Sequence, residues 1–262
     1  MKNLIPLFLI AFIACNPKED KANVDTAIPE KEALLKNEVL KYPDSAILKE
    51  NLIQYYRENN SYDIALSHAD KAVKKDSLNA RWWDIKATLH LENEDTVNAI
   101  RSFEKAVGLM ADPQYIISLG ILYAQTKNKN ALLLADALLM SKAPAEKESL
   151  FIKGLYYSNT NEKQKAIFFY DKCLTVSYSF MYAYREKAVA LYDLGKYNES
   201  VAVLKKAVTL QNNFEEGYFF MGRSLEKLNR TQEAIESYQT ALMYAPDYIE
   251  AKDALGRLGI KN

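Results

Sequence analysis

The groups that could do chemistry in this chain are few and scattered. There are two cysteines, Cys15 and Cys173, and two histidines, His68 and His90. Two cysteines so far apart give no zinc site and no disulfide framework, and neither histidine has a cysteine neighbour to complete a metal-ligand cluster. Glu215-Glu216 opens a helical stretch, where carboxylates complement the helix dipole, which accounts for the pair without acid–base catalysis. The sequence holds no phosphate-binding glycine loop, nucleophile elbow or H-E-x-x-H helix. We therefore expect no catalytic residue, no metal and no cofactor. Asn59, Asn198 and Asn229 each head an N-x-S/T triplet, but all three fall near turns, where asparagine is favoured for backbone reasons, and we attach no glycan to them.

The totals describe an ordinary soluble protein of 262 residues. Lysine plus arginine and aspartate plus glutamate balance at 34 each, so no net field recruits nucleic acid, and none is expected as a partner. Eight glycines and seven prolines are few for a β-rich fold with many tight turns and suit long helices. Eighteen tyrosines are many, as in proteins that fill the gaps between stacked helices with rings.

The first residues have their own pattern. Met1-Lys2-Asn3 gives a short positive start, Leu4 to Ile13 is an apolar run, and Ala14 precedes Cys15, after which the chain turns polar. This is the layout of a secretory signal, too short to span a bilayer, which takes about 20 apolar residues. The stretch F-I-A-C resembles the lipobox of bacterial lipoproteins, although Phe12 stands where that family usually has leucine. The resemblance implies cleavage after Ala14 and acylation of Cys15, with palmitate among the chains; several chains anchor durably where one holds marginally. Without acylation the protein would be free in the periplasm. Asn16, in place of the aspartate of enterobacterial inner-membrane lipoproteins, implies the outer membrane. Lys18-Glu19-Asp20 resembles the surface-export tag of Bacteroidetes lipoproteins, with a solvated linker as the alternative. Residues 15–30 read as the lipidated cysteine and a flexible tether.

The rest of the chain repeats. Ala166, Ser200 and Ala234 are 34 residues apart, as are Gly154, Ala188 and Gly222, and upstream Ala65 and Ala99. That interval is one helix-turn-helix unit of a solenoid. Tyr218, Met221-Gly222, Ala234, Tyr238, Ala241 and Pro246 trace one unit, and Tyr184, Ala188, Gly195, Tyr197, Ser200, Leu204 and Ala207 the unit before it. On these positions the chain resembles the tetratricopeptide repeat (TPR) family. The resemblance implies an all-α fold, a right-handed TPR superhelix (α-solenoid) of about six helix-turn-helix repeats with a C-terminal capping helix. We place units at 46–79, 80–113, 114–146, 147–180, 181–214 and 215–248. Residues 1–14 are then the signal, 31–45 an N-terminal capping helix, 46–248 the repeats and 249–262 the C-terminal cap. The third unit departs from the pattern: its second helix, A-L-L-L-A-D-A-L-L-M, starts about one residue early, and S-K-A-P-A-E-K-E-S restores the phase. Small residues are expected where paired helices approach closely, and aromatics where units meet. Cys173 stands at an alanine position of the repeat, so it reads as a small buried residue.

In the TPR family the first helix of each unit lines the concave face, with ligand contacts from its second, fifth, ninth, twelfth and thirteenth positions. Carried onto this chain, those positions include Phe151 and Leu155, then Tyr182, Arg185, Val189, Tyr192 and Asp193, then Phe219 and Arg223. Aromatics and arginine carry much of the energy of interfaces; the competing role for these rings is stacking between units. The family's lysine–asparagine clamp for a C-terminal carboxylate is not found. The resemblance implies a non-enzymatic, membrane-tethered scaffold that binds a protein or extended peptide of the cell envelope. The alternatives are a surface lipoprotein assisting carbohydrate or small-ligand capture, and a regulatory subunit of an enzyme.

Overall fold

The computed structural model describes residues 24–140 and 145–260; the signal, Cys15 and the polar run up to Ala22 lie outside them. Among the described residues there are fourteen helices and no strand. They are α1 (Val24–Lys41), α2 (Ala46–Glu58), α3 (Tyr62–Lys75), α4 (Ala80–Glu92), α5 (Thr96–Leu109), α6 (Pro113–Gln125), α7 (Asn130–Leu139), α8 (Glu146–Asn159), α9 (Lys163–Val176), α10 (Met181–Asp193), α11 (Tyr197–Leu210), α12 (Glu215–Lys227), α13 (Thr231–Tyr244) and α14 (Ile249–Arg257). From α2 to α13 they follow one another as six two-helix repeats, and α14 comes after the last. One expectation is corrected at the start: α1 begins at Val24, inside the stretch read as a tether. Ala27 and the run Glu30-Lys31-Glu32-Ala33 are good helix formers, while Pro29, the sixth residue of the helix, removes one intrahelical bond.

The described residues fall into two compact units, one ending at Ala65 and one starting at Leu66. In the first, α1 packs on α2. The Tyr56 hydroxyl donates to Glu32 at 2.8 Å, and Glu32 also pairs with Lys36 at 2.5 Å.

In the second unit each helix packs on the next from α4 to α14. The constraint inside a repeat is a close approach of a small residue on the first helix to a ring on the second. Gly222 lies under Tyr238: a methyl group added there would sit 2.6 Å from the tyrosine Cε1, nearer than any side chain can tolerate. Gly154 lies under Tyr170 in the same way. Elsewhere the pair is Ala87 with Phe103 or Ala188 with Leu204, and all these partners are fully buried. Burying each such large side chain contributes about 2 to 3 kcal/mol.

The turn within each repeat is built one way throughout. A residue with left-handed backbone recurs at Asn60, Glu94, Lys127, Asn161, Gly195 and Asn229. The next residue's N–H returns to a carbonyl five residues back: Ser61 to Tyr56, Asp95 to His90, Asn128 to Tyr123, Glu162 to Tyr157, Lys196 to Leu191 and Arg230 to Leu225, at 2.7 to 3.0 Å. This is the bond that closes a helix with a left-handed residue and satisfies a carbonyl the helix leaves unpaired. Gly259 and Ile260 end α14 identically. Asn229 therefore has a backbone role in its triplet.

The irregular repeat is located by these turns. The left-handed positions 94 and 127 are 33 apart, while 127, 161, 195 and 229 keep the interval of 34. The missing residue lies in the connection 110–112 before α6, where Asp112 caps the helix and Pro113 opens it. The early start read for the second helix of this unit is also present: Ala131 follows the left-handed Lys127 by four residues, where Ala99, Ala166, Ser200 and Ala234 follow theirs by five. α7 differs in another way: Ala131, Ala135 and Leu138 are buried where α5, α9 and α13 present a ring between two small residues. With no ring opposite, Gly120 packs instead under Ile152 of the next repeat, 2.8 Å from an added methyl.

Successive first helices touch one another, α6 with α8, α8 with α10 and α10 with α12, whereas successive second helices make no comparable contact. The first-helix side is thus the more closely spaced, inner side of the stack. Ion pairs also bridge neighbouring repeats, Lys86–Asp70, Lys153–Asp136 and Lys187–Asp171, each at 2.6 Å. Their aspartates are exposed, so each contributes at most about 1 kcal/mol.

Gly222→Ala should lower stability by about 1 to 3 kcal/mol, overpacking outweighing the better helix propensity. Gly108→Ala, in open space on α5, should raise it by up to about 1 kcal/mol. Chemical denaturation of the two variants against the parent checks both signs.

Candidate functional site

The candidate surface is the inner side of α8, α10 and α12. Along α10, Tyr182, Arg185, Val189 and Tyr192 share one face by helical spacing, and all four are half-buried. Asp193 is exposed at the helix end and accepts from Lys163 of α9 at 2.6 Å.

Not every ring expected on this face is free to meet a partner. Phe151 and Leu155 of α8 are buried; Phe151 packs edge-on against Phe180 at 5.1 Å between ring centres and tilted against Tyr170. Phe219 of α12 is buried among Phe220, Tyr238 and Tyr248, at 5.0 to 5.8 Å. These three belong to the interior, and the rings that meet Phe151 and Phe219 come from their own units and the connections that close them. Sequence position alone does not separate such covered positions from open ones.

Arg185 is held by the protein itself. Its Nη1 donates to both oxygens of Glu216 on α12, at 2.6 and 2.8 Å, its Nε donates to Glu186 at 3.0 Å, and the guanidinium lies 5.2 Å from the Tyr182 ring centre. Burial opposes the charge on Arg185, but the two carboxylates outweigh it and its pKa is raised. Burial pushes the Glu216 carboxyl up against the pull of Arg185. The group is a strut between neighbouring first helices. Removing Arg185 would leave two partly buried carboxylates without their cation, a cost of several kcal/mol.

Arg223 on α12 is placed differently. Its guanidinium carbon lies 4.9 Å from the ring centre of Tyr192, 5.4 Å from Phe220 and 5.9 Å from Phe219. Tyr192 in turn packs edge-on against Tyr197 at 5.2 Å. The open part of the surface is therefore Tyr182, Val189 and Tyr192 on α10, with Arg223 across from Tyr192.

Two family models match the chain: one described as Tetratricopeptide repeat, over residues 50–115, and one described as Anaphase-promoting complex, cyclosome, subunit 3, over residues 159–241. A tetratricopeptide repeat protein from Parabacteroides merdae superposes with a TM-score of 0.74 at 17% identity, covering 87% of this chain and 91% of that one. The chain belongs to the tetratricopeptide-repeat family. PilW, a type IV pilus biogenesis factor, has the same fold at a TM-score of 0.63 and 18% identity, covering 79% of this chain and 97% of its own. At such identities the likeness is one of fold. Among curated proteins, this TPR chain is 25% identical to the peroxisomal targeting signal receptor of Kluyveromyces lactis over 220 residues, which is 76% of this chain and 38% of the receptor. It is 36% identical to N-alpha-acetyltransferase 60 of Drosophila melanogaster over 76 residues, 29% of this chain and 27% of the other. The chain thus spans well under half the length of these curated relatives.

Of the groups singled out for chemistry, Cys173 is fully buried on α9, and its thiol donates to the Lys147 carbonyl at 3.3 Å. Burial pushes the thiol up to about 12, so it stays protonated and unreactive near neutral pH. His90 sits beside Asp95 at 3.3 Å, and burial holds its pKa below the usual value. Among the described residues no group of three or more His, Cys, Asp or Glu is placed to hold a metal ion, and no helix is long and apolar enough to cross a membrane.

With Cys15 replaced by serine, Cys173 is the sole thiol. It should react with a maleimide at pH 7.5 on the order of a thousandfold more slowly in the folded protein than in urea, reactivity rising only at strongly alkaline pH. Rapid labelling of the folded protein would contradict this burial.

Proposed function

We propose that this protein is a non-enzymatic TPR scaffold, held at a bacterial envelope membrane by a lipid on Cys15, that binds a protein or extended peptide along the inner face of α10 and α12. The observation that carries the reading is the row Tyr182, Val189 and Tyr192, half-buried on one face of α10 and continued by Arg223. Rings backed by a rigid helix lose little entropy on binding and offer large amphipathic surfaces, the residue types that dominate interfaces. Arg185, on the same face, ties α10 to α12 through Glu216.

The absence of catalysis is supported by the chemistry of the reactive groups. Cys173 is capped by a backbone carbonyl and kept as a thiol, and the acids around α10 and α12 hold arginine or lysine. The anchor is supported by the F-I-A-C sequence, and it places the partner in the envelope, where the scaffold would serve assembly or organisation of a complex.

Replacing Tyr182 and Tyr192 together by alanine should weaken the partner's co-purification from detergent-solubilised membranes by about ten- to a hundredfold, with the helical far-ultraviolet spectrum retained. Unchanged recovery would move the site elsewhere. Binding to a glycan array in the absence of any protein partner would favour carbohydrate capture instead. Cys15→Ser should shift the protein from the membrane to the soluble fraction; a variant that sediments unchanged with membranes would remove the anchor from the account.

A further inference from the structure

One arginine is left without a polar partner. Arg57 donates to Gln54, Arg81 to Asp84, Arg101 to Asn98, Arg185 to Glu186 and Glu216, Arg230 to Glu233, and Arg257 lies 3.7 Å from Glu226. Arg223 alone, among the described residues, has neither a hydrogen bond nor an ion pair; its contacts are the faces of Tyr192, Phe219 and Phe220. The acids that could have met it are engaged: Glu216 by Arg185, Asp193 by Lys163, and Glu226 by the Tyr238 hydroxyl and Arg257.

This arrangement has a chemical consequence. Three rings hold the guanidinium in place and remove part of its water, while its five N–H donors find no acceptor in the protein. A planar fork in such a setting matches a carboxylate through two parallel hydrogen bonds, and the shielded surroundings strengthen them. The ring surface runs on from Tyr192 through Val189 to Tyr182, so a chain lying along α10 passes Arg223 and does not have to end there.

We infer that Arg223 is the anchor for the side-chain carboxylate of an aspartate or glutamate within an extended acidic segment of the partner, the flanking residues of that segment lying on Tyr192 and Val189. The inference rests on the groove reading above and adds to it the charge of the bound chain.

The test uses the full-length protein in detergent and end-blocked, randomised twelve-residue peptide pools with either glutamate or glutamine at the centre. A third pool has glutamine at the centre and a free C-terminal carboxylate. The parent should retain the glutamate pool about tenfold better than the glutamine pool, as expected for one charge-assisted bidentate contact. Arg223→Gln should bring that ratio to about one, the glutamate pool losing its advantage over the glutamine pool. Arg223→Lys should keep part of the preference, since an ammonium keeps the charge without the fork. A ratio near one in the parent, or a preference that survives Arg223→Gln, overturns the anchor. So does a preference for the free C-terminus alone. If the glutamine pool binds, and Tyr192→Ala weakens it while no acid preference exists, the groove stands and the anchor falls; if no pool is retained, both fall.

Discussion

The second compact unit depends on how closely two helices of one repeat can approach. At Gly154 and Gly222 no atom beyond hydrogen fits between the first helix and a tyrosine of the second. Those tyrosines, Tyr170 and Tyr238, are wholly buried. A glycine inside a helix costs about 1 kcal/mol against alanine, and the ring packed over it offsets that cost. Once the pairs are set at this distance, the repeat's other features follow. The left-handed turn residue reverses the chain within three residues, and the second helix returns in register to bury its small and aromatic positions.

The joint between the third and fourth repeats shows what happens when that pair is missing. Ala135 replaces the ring, so Gly120 has nothing to close on within its own repeat, and Ile152 of α8 fills the space. Contact between first helices follows, α6 packing against α8 directly. The same logic runs more gently at α10 and α12, where the Arg185–Glu216 strut and the buried pair of Ser200 and Ser224, 2.9 Å between hydroxyls, join neighbouring repeats.

The architecture was legible because it is written in types of residue at fixed intervals: alanine or glycine at 154, 188 and 222 and at 166 and 234, rings at 170 and 238, and asparagine or glycine at several of the turns. Where the signal was weaker the reading slipped. The residue lost in the 110–112 connection was missed, whereas the early start of A-L-L-L-A-D-A-L-L-M was legible and is present, Ala131 following its left-handed turn residue by four positions instead of five. The start of α1 at Val24 was hidden by a polar composition that helices and tethers share. The surface was legible only in part. Phe151 and Phe219 stand at the repeat position that Arg185 holds in the unit between them, yet both rings are buried while Arg185 is half-open. Arg185 and Arg223 look alike in the sequence; their difference lies in Glu216 and Glu186, which reach one and not the other. Exposure and pairing are set by the angle and offset between stacked helices, which spacing along the chain does not encode.

The most direct test is a site-specific photocrosslinker in intact cells, placed at Tyr182 or Tyr192 on the inner face and, as the contrast, at exposed Phe168 on α9 or Met243 on α13. The account predicts one discrete protein adduct from the inner positions and none from the outer ones. Adducts confined to Phe168 or Met243, with Tyr182 and Tyr192 silent, would contradict it.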